Sequence, residues 1–144
     1  MNLFGMLEVS GSAMSAERWR AEVVSANMAN AESTRTAQGG PYRRQLVVFR
    51  ARPASRFPLL LARLHPQAQG GVEVQGVVAD RSPLPTRYEP GHPDADANGY
   101  VTYPNVNAVL EMTDLLSAVR AYQLNASAVQ AAKNMLQQSL QILS

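Results

Sequence analysis

The residues of this chain best suited to chemistry are a short acidic run, two histidines and a cluster of arginines. Asp94-x-Asp96-x-Asn98-Gly99 has the spacing with which the first half of a calcium loop presents oxygens to a cation. The second half departs from that pattern: the twelfth position is Asn105, where a bidentate Glu is required, and Pro93 and Pro104 stand where flanking helices would be. The run therefore reads as a structural loop whose Asp and Asn side chains close turns between Pro93 and the C-terminal flank, and no metal or other cofactor is expected. His65 and His92 each precede a proline in a turn-like setting, with no Ser or Cys nucleophile motif nearby. The chain has no cysteine, no G-x-S-x-G, no H-E-x-x-H and no glycine-rich phosphate loop, so the expectation is a protein without catalytic activity.

Arg43, Arg44, Arg50, Arg52, Arg56 and Arg63 follow one another with no acid between Glu32 and Glu73. Such a stripe suits an anionic partner, or else serves strand edges and loops as soluble surface. The net charge of +2 is too small for a general nucleic-acid binder, and aromatic residues are too sparse around the stripe for base stacking. A monomeric binding module that uses Arg43 to Arg63 on an anionic partner is the competing functional class. If the stripe is functional within an assembly, acidic patches on neighbouring subunits are its expected counterpart, with charge setting register more than affinity.

The elements that position these residues are legible from the prolines. All nine lie between Pro41 and Pro104, leaving two proline-free flanks of 40 residues each. Proline breaks helix interiors, so the order reads helix, irregular or β-rich insert, helix, with boundaries at 1–36, 37–104 and 105–144. The C-terminal flank has neither Gly nor Pro after Pro104 and is rich in Ala, Leu and Gln. Steps of four and three from Ala108 pass through Met112, Leu115, Val119, Tyr122, Ala126, Val129, Lys133, Leu136, Leu140 and Leu143, a coiled-coil spacing broken only by Lys133. Asn105 or Asn107 can cap its first turn. The N-terminal flank repeats the spacing through Leu3, Leu7, Met14, Val24 and Met28, with Ser10 and Glu17 as polar exceptions. Gly5 and Gly11 each weaken a helix by about 1 kcal/mol relative to Ala, which predicts a firm helix from Ser12 to Ala29.

Within the insert, period-2 patterning predicts strands at Gln45–Phe49, Val72–Val78 and Tyr100–Tyr103. Residues 51–69 carry three prolines and four leucines without a period and read as a loop. Fold class is thus mainly α with a small β-rich insert, the long N- and C-terminal helices forming a coiled-coil-like pair. Val109, Leu116, Leu124 and Met135 are apolar off the C-terminal seam. A helix that is apolar on more than one face needs further cover, which the short, proline-broken insert is too small to supply. Other subunits, including copies of this chain, are the expected cover, with Met14, Val24, Met28, Leu115, Val119, Tyr122, Val129, Leu136 and Leu140 as their packing residues. No run is long enough to span a membrane, and the first residues lack the basic and apolar regions of a cleaved signal peptide.

One segment is unusual: Ser25-Ala26-Asn27-Met28-Ala29-Asn30-Ala31-Glu32-Ser33-Thr34 closes the first helical flank with two asparagines three residues apart. By helix-ending rules alone it is a helix terminus where Asn satisfies last-turn carbonyls. It also resembles the signature found near the N-terminus of flagellar rod and hook axial proteins. Gly39-Gly40-Pro41-Tyr42-Arg43-Arg44-Gln45, then Pro90-Gly91-His92-Pro93-Asp94-x-Asp96 with Gly99-Tyr100, then Pro104-Asn105 narrow the resemblance to the proximal-rod members of that family. Residues 51–71 match no pattern of the family. The resemblance implies a non-enzymatic structural subunit of the flagellar basal body, exported by the flagellar type III apparatus without a removable signal. It would be assembled in the periplasmic rod against other proximal-rod proteins and the adaptor at the rod base, with a role in motility.

Overall fold

The computed structural model describes residues 3–52 and 70–143. Two helices, α1 (Leu3–Ala29) and α2 (Ala108–Leu143), pack against each other along their length. Between them in sequence lie two antiparallel two-stranded ribbons, β1 (Gln45–Ala51) with β2 (Val72–Ala79) and β3 (Thr86–Tyr88) with β4 (Tyr100–Thr102). The mainly α class with a small β insert is what the proline distribution predicts. The expected loop at 51–69, together with Arg56, Arg63 and His65, lies almost wholly outside the described residues.

α1 differs from its expectation in where it begins. It runs unbroken from Leu3 through Gly5 and Gly11, because packing against α2 outweighs the propensity penalty of two glycines. α2 starts where its cap predicts: Asn107 Oδ1 accepts from the Val109 and Leu110 amides at 3.0 and 3.3 Å. The helices are antiparallel, since Asn27 meets Glu111 while Arg20, earlier in α1, meets Asp114, later in α2.

The face of α2 turned to α1 is narrower than the apolar pattern suggests. Glu111, Ala118 and Ala132 are its buried residues, spaced in multiples of seven, and Leu115, Val129 and Leu136 flank them half-buried. Alanine at the line of closest approach lets the backbones come near, and the longer side chains close the groove on one side. Met112, Val119, Tyr122 and Leu140, which the 4-3 spacing assigns to the same stripe, are exposed.

The β1–β2 ribbon lies lengthwise on a different side of α1. Its first residue, Gln45, bonds Asn27, and at the far end Val72 N donates to Ser12 Oγ at 3.1 Å while Arg52 pairs with Glu8 at 2.9 Å. The spans agree: seven residues of strand cover about 23 Å and nineteen residues of helix about 28 Å, the long Arg52 and Glu8 side chains bridging the difference. A bulge between Val48 and Phe49 bends the strand onto the helix. α1 is thus covered on two sides, by α2 and by the ribbon, whereas among the described elements α2 packs on α1 alone.

Gly71 marks the closest approach of ribbon to helix, where an added Cβ would overlap the Ser12 hydroxyl. That hydroxyl is held, donating to Val9 O at 2.7 Å. Gly71→Ala is expected to destabilise the fold by about 1–3 kcal/mol, read as a lower midpoint of urea unfolding followed by circular dichroism. Gly76→Ala, a strand position with open space around it, is the matched control.

A buried clasp at the helix junction

The chain reverses sharply after α1. Asn30 Nδ2 donates to Ala26 O at 2.9 Å, capping the helix end, and Asn30 Oδ1 accepts from Ser33 Oγ at 3.1 Å. A turn at Thr36 to Gly40, with Gly39 and Gly40 at φ of 86° and 75°, leads through Pro41 into Tyr42, whose amide donates to Ser33 O at 2.9 Å. This reversal aims Tyr42 and Arg44 back at the junction of the two helices.

There Asn27 is fully buried, at 0% exposure, and uses all of its hydrogen-bonding capacity. Its Nδ2 donates to Gln45 O at 2.8 Å and to Glu111 Oε2 at 2.9 Å. Its Oδ1 accepts from Tyr42 Oη at 2.9 Å and from Gln45 N at 2.8 Å. The carboxamide pairs with both main-chain groups of Gln45, as a neighbouring strand would, and so fixes the start of β1 on the helix. Asn30 thus serves a last-turn carbonyl as helix-ending rules suggest, whereas Asn27 is turned to the strand and to α2.

Glu111, also at 0% exposure, is the charged centre of this clasp. Its Oε1 accepts from Arg44 Nε, and Arg44 Nη2 continues to Asp114 Oδ2 at 3.2 Å. Arg20 Nη2 closes the chain on Asp114 Oδ1 at 3.2 Å. A buried carboxylate without partners would cost several kcal/mol; here two donors, one of them cationic, meet its two oxygens. Burial, and then the nearby Glu111 charge, push the Tyr42 phenol above its ordinary value of 10.0. Its folded value lies above the unfolded one, so this contribution to stability is complete below pH 10 and is lost as pH rises through the folded value.

The remaining signature residues form a second tier. Asn105 does not cap α2; its Oδ1 accepts from Arg44 N at 2.9 Å and its Nδ2 donates to Ser82 Oγ at 2.8 Å. Thr34 Oγ1 donates to Asp94 Oδ2 at 2.8 Å, and Arg35 lies 3.6 Å from the same carboxylate. Asp96 Oδ1 accepts from Asn98 N and Tyr100 N, at 2.8 and 2.9 Å. Of the two aspartates of the calcium-like spacing, Asp94 is thus engaged by Thr34 and Arg35 and Asp96 by the amides of its own turn. Gly99 has φ of 80° and its missing Cβ leaves room for Tyr88 and Pro90. Pro90, Gly91 and Pro93 shape the turn, within which His92 Nδ1 accepts from Asp94 N at 3.1 Å. Tyr100 packs edge-on against Tyr88 with centroids 5.3 Å apart.

The arginine stripe is largely engaged within the chain. Arg43 donates to Asp80 O and Ser82 O, Arg44 belongs to the clasp, and Arg50 and Arg52 pair with Glu73 and Glu8. A binding module built on this stripe is accordingly not favoured: its four described members already have partners. Of the expected packing residues, Val24 is buried, Met14, Met28, Leu115, Val129 and Leu136 are half-buried, and Val119, Tyr122 and Leu140 are exposed. Glu111, Asp114 and Arg20 escape sequence reasoning; the available signal was that Glu111 and Asp114 are the only acids after Pro104.

Comparison with known proteins gives the class of this helix pair with its clasped ribbon. Residues 7–38 match the family described as flagella basal body rod protein, and residues 97–142 match the C-terminal family of the flagellar basal body rod FlgEFG proteins. The chain is 41% identical to the flagellar basal-body rod protein FlgC of Borreliella burgdorferi, with 99% of each chain covered. It is 40% identical to FlgC of Bacillus subtilis, over 99% of each, and 40% identical to FlgC of Salmonella typhimurium, over 97% of each. The chain belongs to the FlgC family of flagellar basal-body rod proteins.

Replacing Arg44 with Ala leaves Glu111 buried without its cation and is expected to cost about 3–5 kcal/mol in urea unfolding. Arg50→Ala, which opens an exposed pair, should cost less than about 1 kcal/mol. Titration of phenol absorbance should show Tyr42 ionising at higher pH than free tyrosine, and Asn27→Ala, which removes its partner and opens its cover, should alter that curve.

Proposed function

We propose that this chain is a structural subunit of the proximal rod of the bacterial flagellar basal body, which transmits torque by packing in a helical axial assembly and supports flagellum-dependent motility. The observation that carries the reading is the uncovered surface of α2. Val109, Met112, Leu116 and Val119 follow each other at steps of three and four and are exposed, the first three by 74%, 57% and 51%. Burying such side chains against a neighbour contributes about 1.5–3 kcal/mol each, and an exposed row of this regularity marks an interaction face. Neighbouring copies and other proximal-rod proteins are its natural occupants, with the adaptor at the rod base as the terminal partner. The subunit would reach the periplasm through the flagellar type III export apparatus. No described helix is long and apolar enough to cross a membrane.

In this reading the clasp holds each subunit in one shape. Torque is then borne by many side-by-side interfaces between stiff helix pairs, and the subunit performs no chemistry. The family resemblance and the full-length similarity to FlgC proteins support the same conclusion.

The double change Met112→Asp with Leu116→Asp alters only exposed positions, so the unfolding free energy of the purified chain in urea should change little, by about 0.5 kcal/mol per site at most. Cells carrying it should be non-motile, with basal bodies that lack a rod in electron micrographs. Normal rods would remove the reading, as would normal rods after deletion of residues 129–144.

A further inference from the structure

Asn98–Gly99 is the only Asn-Gly pair in the chain. It lies in the connection from β3 to β4, immediately before β4, with Asn98 exposed. In such a pair the main-chain nitrogen of the glycine can attack the side-chain carbonyl carbon of the asparagine. A side chain on the second residue would crowd that approach, and glycine has none. The bond from Gly99 N to Asn98 Cγ forms, the Cγ–Nδ2 bond breaks, and the Gly99 amide proton passes through solvent to the leaving nitrogen. Ammonia departs and a succinimide remains. Water then opens the ring: cleavage of the new bond gives aspartate, and cleavage of the original peptide bond gives isoaspartate.

The fold holds the attacking nitrogen away from this reaction. Gly99 N donates to Asp96 O at 3.0 Å, so its proton and its direction are both committed to the main chain. Asp96 Oδ1 accepts from Asn98 N and Tyr100 N at 2.8 and 2.9 Å, and Asp96 N donates to Tyr100 O at 2.9 Å. Asp96 thus ties down the chain on both sides of the pair. Gly99 O in turn accepts from Glu89 N at 2.8 Å, and Gly99 lies against Tyr88 and Pro90. Cyclisation takes from Gly99 N the proton that it donates to Asp96, so the turn has to open first.

We infer that Asn98 is a self-modifying site, converted through a succinimide to aspartate and isoaspartate when the Asp96 turn is open and shielded from that change while the turn is closed. Aspartate leaves the course of the main chain as it was. Isoaspartate routes it through the side chain and adds one bond, about 1.5 Å, between position 98 and Gly99. That displaces Gly99 from Glu89 and Tyr88 and loosens the β3–β4 pairing, beginning with Tyr88 and Tyr100. Time spent unfolded is therefore recorded at one bond, and the folded subunit carries the record as a weakened ribbon.

The full-length protein is held in mildly alkaline buffer with and without urea, and the arginine-ended peptide 88–120 is followed by tandem mass spectrometry. Asn105 and Asn107 in the same peptide precede Val and Ala and serve as internal references. In urea, conversion at Asn98 should exceed theirs by about tenfold or more, and folding should slow it by about tenfold or more. Asp96→Ala should restore fast conversion in the folded protein with its helical circular dichroism unchanged, whereas Asp96→Asn, which keeps an acceptor oxygen, should not. After aging in urea and refolding, the Glu89 amide should exchange hydrogen faster in isoaspartate-containing chains than in aspartate-containing ones. No preference for Asn98 in urea overturns the site. Equal rates with and without urea, or an Asp96→Ala protein as slow as wild type, overturn the shield; equal exchange at Glu89 overturns the effect on the ribbon.

Discussion

A carboxylate with no exposed surface has to be met by donors, and Glu111 is the point from which the rest of this fold can be reasoned. Its two oxygens are matched by one amide from α1 and one guanidinium from the segment leading into β1. Three parts of the chain are therefore held by one group. Sliding α2 along α1 by a single residue, about 1.5 Å, would strain the bond to Asn27 and the one to Arg44 together. Apolar packing between helices tolerates small slips; a buried, hydrogen-bonded charge does not. The register of the helix pair and the placement of the ribbon are thus set by the same few side chains.

That arrangement also decides which helix is left for other molecules. α1 has the ribbon on one side and α2 on another, with Ala16 and Val24 buried and Phe4 and Trp19 left exposed. Among the described elements α2 packs on α1 alone, and its Leu110, Leu124 and Met135 are exposed. A subunit built this way is stiff in itself and incomplete at its surface, which is what a component of a larger helical structure requires. The ribbon runs along α1 from Asn27 to Glu8 and makes no packing contact with α2.

The turn-forming residues serve the same end at a distance. Thr34 with Asp94, and Asn105 with Arg44 and Ser82, tie the loops that leave and enter the helices. Each contact is modest alone. Together they bring the chain from α1 through both ribbons to α2 along one route, so that Arg44 arrives at the clasp without free rotation of the segment that carries it.

Much of this architecture was legible in the residues themselves. Proline placement marks the two helices and the insert, alternation marks β1, β2 and β4, and the asparagine, glycine and proline motifs mark the family, because these signals depend on local backbone geometry. Only the tertiary structure decided which apolar stripe of α2 meets α1, that α1 continues through Gly5 and Gly11, that β3 forms opposite β4, and that Arg44, Arg50 and Arg52 face acids of their own chain. The bond between Asn27 and Glu111 joins residues 84 positions apart, and periodicity says which side chains share a helix face but not which face another element will cover.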